Sequence, residues 1–126
     1  MTKTPISEAF VGAWLRDLIV AWTSRDVESA LGLFSNCRIY KETPFSHNAA
    51  AEPDGIKRLW EEVALQSDIV VSGSILGVGL DTAVIAYEAR MSVGRSLRHS
   101  SGIWYIRYRE SRCEEFHQWF MVDPAS

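Results

Sequence analysis

The second half of the chain carries β-like runs joined by links too short to hold a helix, and this most limits the fold. Residues 67–76, 82–91, 97–109 and 113–122 are rich in Val, Ile, Trp and Tyr, which fit a pleated, half-buried surface. Gly77–Asp81, Val93-Gly94-Arg95 and Glu110-Ser111-Arg112 separate them. Parallel neighbours need a crossover of a dozen or more residues, so links this short imply an antiparallel meander.

The first half has helical spacing instead. Phe10, Trp14, Leu18 and Trp22 recur every four residues, and Leu15 and Ile19 widen the stripe. That predicts an amphipathic helix over 7–23, with Ser7 as its N-cap. Asp26 offers a second cap before Val27, Ala30, Leu31 and Phe34. Arg38 to Phe45 reads as a strand through Ile39 and Tyr40, ended by Thr43-Pro44. His47 to Pro53 reads as a polar loop. Asp54 is expected to cap a third helix carrying Ile56, Leu59, Trp60 and Val63. Helices first and strands afterwards predict an α+β fold. Without a repeat or linker, residues 1–126 are expected to form one domain.

Composition narrows the partners. The formal net charge is -3 with no basic stripe, which argues against nucleic acid. Arg16 and Asp17 interrupt the most apolar helix, so no membrane span is expected. The N-terminus shows no secretory pattern. Cys37 and Cys113, far apart in sequence, are expected as free thiols of a cytoplasmic protein. The isolated His47, His99 and His117 give no metal-binding spacing, and no cofactor motif is visible.

Local motifs then point to a family. Ala21-Trp22-Thr23-Ser24-Arg25-Asp26 followed by Ala30-Leu31-Gly32-Leu33-Phe34 resembles the passage between the first two helices of the nuclear-transport-factor-2-like superfamily, SnoaL-like branch. Tyr40 to Phe45 resembles its "Y-x-[DE]-x-P-F" strand, and Arg112 to Phe120 its last strand. Gly55-Ile56 and Trp60 to Val63 match its third helix. The resemblance covers nearly the whole chain. It implies a cone: a curved mixed or antiparallel sheet wrapped around a long N-terminal helix, with two further short helices and a conical pocket. It also implies a homodimer formed through the sheet.

Fold does not settle function, so the chemistries of that family were set against these residues. By the resemblance, Leu18 stands where ketosteroid isomerases carry an oxyanion-holding Tyr, Glu42 near the base, and Trp104 near a protonated Asp. Leu18 donates nothing to a developing oxyanion, so that isomerase reading fails. Epoxide-hydrolase chemistry needs an Asp–Arg–Asp cluster. Arg90, Arg98 and Arg107 are present, but Asp81 falls in a turn and Asp123 beyond the last strand. A His-based cyclase remains open.

Glu42 is the candidate base, against the plainer reading of an exposed strand charge beside Lys41 or Arg38. Tyr40 shares its parity and is the candidate donor, against a core Tyr with its hydroxyl at a wet edge. Trp14, Leu18, Trp60, Trp104, Phe116, Gln118 and Phe120 are the candidate ligand contacts, although aromatic residues in such stripes are more often plain core. Gln118 departs from the Glu that related chains carry, and an amide is no base. His117 and Trp119 should face outward. The expected function is binding of a small, largely apolar molecule, with acid–base turnover of isomerase, cyclase, dehydratase or hydrolase type. The alternative is a non-catalytic ligand-sensing or protein-interaction module.

Overall fold

A computed structural model describes residues 5–124. Helix α1 spans Glu8–Thr23, α2 Val27–Leu33 and α3 Gly55–Glu61. Strand β1 is Ile39–Lys41, β2 Gln66–Val78, β3 Thr82–Val93, β4 Ser96–Arg109 and β5 Arg112–Val122. The five strands form one open sheet in the order β1-β5-β4-β3-β2. β2 to β5 make the antiparallel meander, and β1 joins its edge parallel to β5.

The turns follow from local backbone rules. Val93 pairs with Ser96 and Arg109 with Arg112, which leaves two-residue hairpin loops. Gly94 takes φ 62°, Glu110 φ 51° and Ser111 φ 62°. Left-handed conformations suit hairpins because their twist matches that of the strands.

Ser7 caps α1 by accepting from Phe10 N at 3.0 Å, and Asp26 caps α2 by accepting from Ser29 N at 3.1 Å. The buried side of α1 is Val11, Trp14, Leu15, Leu18 and Ala21. The every-fourth-residue stripe is thus rotated: Phe10, Ile19 and Trp22 lie at its margins, only partly buried. A period of 3.6 drifts away from a strict spacing of four. Leu15 packs against bare backbone at Gly73, where a Cβ would lie 3.1 Å from its methyls.

Two local expectations change. Asp54 sits at φ 56° and makes no side-chain cap for α3. The strand expected over 38–45 is paired only across Ile39–Lys41, at the edge of the sheet. Beyond it, Ser46 Oγ accepts from the N–H groups of Glu42 and Thr43, both at 3.2 Å, and folds the chain into a turn. The expected loop over 47–53 holds a short 3-10 turn, Ala49–Ala51. A second, Glu62–Leu65, follows α3 directly.

The inward face of the sheet supplies Ala83, Ile85, Tyr87, Ala89 and Met91 from β3 and Trp104, Ile106 and Tyr108 from β4. Among the described residues no helix is long and apolar enough to cross a membrane.

Candidate functional site

Between α1, α3 and the inward face of the sheet lies a cavity of about 200 Å³. Leu18 and Trp22 of α1 line one wall, and Leu59, Trp60, Glu62 and Val63 another. Tyr40 and Glu42 enter from β1 and the turn after it. The sheet adds Tyr87, Met91, Arg98, Ser100, Trp104, Phe116, Gln118, Phe120 and Val122. Alternation along the strands explains this set: Arg98, Ser100 and Trp104 share a parity on β4, as Phe116, Gln118 and Phe120 do on β5.

Aromatic contacts hold the walls in place. Tyr40 stacks on Phe116 with ring centroids 5.1 Å apart. Tyr87 pairs with Gly102, which offers no side chain, and stacks on the diagonal Trp104 at 4.3 Å and 10°. Trp104 Nε1 donates to Gln118 Oε1 at 2.8 Å. That bond uses the carbonyl of the Gln118 amide, so its NH₂ group is the half left to donate. Trp22 Nε1 donates to Gln66 Oε1 at 2.8 Å on the opposite rim. Trp60 Nε1 interacts with the Tyr40 hydroxyl but falls short of a formed hydrogen bond.

The electrostatics centre on Glu42. Burial, and secondarily the carboxylate of Glu62, push its carboxyl above the ordinary range. Partial burial disfavours the charged form relative to a carboxylate in water. Burial, and then the charge of Glu42, raise the Tyr40 hydroxyl. Burial raises Tyr87 as well, with a smaller contribution from Glu42. Both phenols therefore remain protonated donors at neutral pH.

The structure brings Leu18, Tyr40, Glu42, Trp60, Trp104, Phe116, Gln118 and Phe120 to one cavity. Trp14 is the exception. One turn earlier on α1, it packs edge-on against Phe34 and Tyr108, both at 5.7 Å, away from the cavity lining. Sequence reasoning missed Trp22, Glu62, Tyr87, Arg98 and Ser100. Strand parity with Trp104 was the signal for Arg98 and Ser100; nothing local marked Glu62, which lies in the turn after α3.

None of His47, His99 and His117 lines the cavity. His47 is at the surface beside Glu52, 3.4 Å away. His99 contacts Glu88 and lies 3.5 Å from Asp123. His117 is on the outer face, 3.1 Å from Glu115 and stacked on Trp119. Arg107 is on that face too, 3.1 Å from Glu115. Among the described residues no group of three or more His, Cys, Asp and Glu is placed to hold a metal ion.

No family model matches the chain, and no curated protein matches it by sequence. Solved structures do. An NTF2-like protein of unknown function from Burkholderia pseudomallei superposes with TM-score 0.68 at 11% identity, covering 92% of each chain. An LEH-like epoxide hydrolase from Mycobacterium tuberculosis gives TM-score 0.64 at 11% identity, covering 90% of this chain and 84% of its own. The epoxide hydrolase/cyclase-like enzyme SalBIII, of pyran-ring formation in salinomycin, gives 0.70 at 11%, covering 90% and 89%. With the helices, the sheet order and the cavity, these likenesses show that the chain has the nuclear-transport-factor-2-like fold.

Proposed function

We propose that the chain binds a small, largely apolar molecule in this cavity and that Glu42 acts on it as a general base. One observation carries the reading. Glu42 is a carboxyl displaced upward by partial burial at an aromatic-lined cavity, with Glu62 as its electrostatic neighbour. A base raised in this way moves toward the range useful for proton transfer near neutral pH. The Gln118 amide and the Tyr40 hydroxyl supply donors for an oxygen of the bound molecule. The histidines stand elsewhere, so a His-based mechanism has no support from the cavity. The structural neighbours include epoxide-hydrolase, cyclase-like and isomerase proteins, which fits acid–base work without choosing among these reactions. A cytoplasmic homodimer that meets through the outer sheet face completes the reading.

Native mass spectrometry of the gently purified protein should reveal a bound small molecule. On a substrate identified this way, Glu42→Gln should lower turnover by at least about a hundredfold, the low end for acid–base catalysis. Normal turnover by the variant overturns the base assignment. A ligand that co-purifies and is returned unchanged makes the protein a non-catalytic binding module.

A further inference from the structure

The two cysteines lie 76 positions apart in the sequence, yet they meet where β1 joins β5. The Cys37 N–H closes the turn after α2 by donating to Phe34 O at 3.0 Å. Arg38 N donates to Glu114 O at 2.7 Å. Each cysteine therefore stands one residue before the same interstrand bond. Cys37 Sγ donates to Ile39 O at 3.0 Å and Cys113 Sγ to Glu115 O at 3.6 Å, and the two thiols are electrostatic neighbours. Both are free thiols; Cys113 is fully buried and Cys37 partly exposed. They are free as expected, but distance along the chain is not the reason: the parallel pairing of β1 with β5 brings them together.

We propose that Cys37 and Cys113 form a redox modification site, oxidised by a small-molecule disulfide of the glutathione class to an intramolecular disulfide that clamps β1 to β5. The two thiols differ in a way that orders the steps. Cys37 is the partly exposed thiol and Cys113 the buried one, so the small disulfide reaches Cys37 first; proximity to Cys113 also lowers Cys37, while proximity to Cys37, and then burial, raises Cys113. Thiolates attack disulfides, and thiols do not. The Cys37 thiolate attacks one sulfur of the small disulfide, whose S–S bond breaks and releases one small thiol. The Cys113 thiol then gives up its proton and attacks the Cys37 sulfur of the mixed disulfide. That second S–S bond breaks and releases the other small thiol. Two electrons pass from the protein to the small disulfide, and the two protein thiol protons end on the released thiols.

The clamp bears on the cavity because of what it joins. β1 has only three residues and pairs with the sheet through β5 alone. Tyr40 pairs with Phe116, and Glu42 follows one residue after the last pair, Lys41 with His117. A bridge just before these pairs restrains the segment carrying Tyr40 and Glu42 against the strand carrying Phe116 and Gln118.

The test exposes the reduced, folded full chain to excess oxidised glutathione and follows intact mass, thiol count and amide exchange. The expected product has lost both thiols together, weighs two hydrogens less than the reduced chain and retains no glutathione. Cys113→Ser should instead keep one glutathione on Cys37, and Cys37→Ser, with only its buried thiol, should stay unmodified. Oxidation should raise Tm by about 5–15 °C, as expected for closing a long loop. It should also slow amide exchange over residues 38–42 by about tenfold or more. A wild-type chain that stops at the Cys37 mixed disulfide, or stays reduced, overturns the proposal. A disulfide that forms without slowing exchange in 38–42 overturns the clamp.

Discussion

The interior has two ends built from similar residues, and only one is filled. At the closed end Trp14 meets Phe34 and Tyr108, and Phe10 meets Tyr108 edge-on at 5.0 Å. At the other end Leu18, Trp22, Trp60, Trp104 and Phe120 surround a hollow. Both ends draw on α1, β4 and β5. They differ in what the sheet places opposite α1. Beside Trp14 it offers Tyr108, which is buried. Near Leu18 it offers Ser100, Gln118 and Arg98, which do not fill the space. Aromatic content alone therefore does not distinguish a core from a binding site; the polar residues interleaved with it do.

Substitutions should separate the two ends by size of effect. Trp14→Ala should destabilise by about 3–5 kcal/mol, the range for large aromatic truncations in a core. Phe120→Ala should cost less than Trp14→Ala, since its ring is only partly buried and borders the cavity. Equal shifts of the two denaturant midpoints would break the contrast. Gly102→Ala should cost about 1–3 kcal/mol through overpacking, because a Cβ there would meet Trp119 O at 2.0 Å. Gln118→Leu should cost about 1–3 kcal/mol by leaving the buried Trp104 N–H unpaired, whereas a cost near zero would show that this bond adds little.

The pH dependence should be gentler. Glu42 has a raised pKa in the folded state. Its contribution to stability is therefore fully present below the unfolded carboxyl value near 4.5 and is lost as pH rises through the folded value. Urea titrations of Glu42→Gln and wild type should thus diverge in favour of the variant from acid toward neutral pH. Parallel curves would mean the carboxyl is solvated. The smallest effect on stability belongs to the outer face. Trp119→Ala should stay within about 0.5 kcal/mol of wild type yet weaken self-association in light scattering. Trp119 is 43% exposed beside His117 and Tyr105, and a wild-type chain that remains monomeric at micromolar concentration would rule out a dimer.

The meander was legible because strand composition and short links are local properties. So was the shared cavity face of Phe116, Gln118 and Phe120, which follows from parity. The reach of α1 was not. Trp14 and Leu18 lie on one stripe, but a single helical turn, about 5.4 Å, separates packed core from cavity wall. The meeting of Cys37 with Cys113 was hidden because a parallel pairing across the sheet edge leaves no turn signal. Glu62 was missed because it is an exposed acid, in the 3-10 turn after α3, that nonetheless borders the cavity.

The aromatic lining also has an optical consequence. Of the five tryptophans, Trp22, Trp60 and Trp104 line the cavity, and Trp104 is held by both a stacked Tyr87 and a hydrogen bond to Gln118. A molecule that enters alters the surroundings of three indole rings at once, so its arrival changes the emission intensity and wavelength of the unlabelled protein. Trp14, sealed at the closed end, contributes a constant background. The cavity thus carries its own fluorophores, and titration with a fragment library can survey ligands before any substrate is identified.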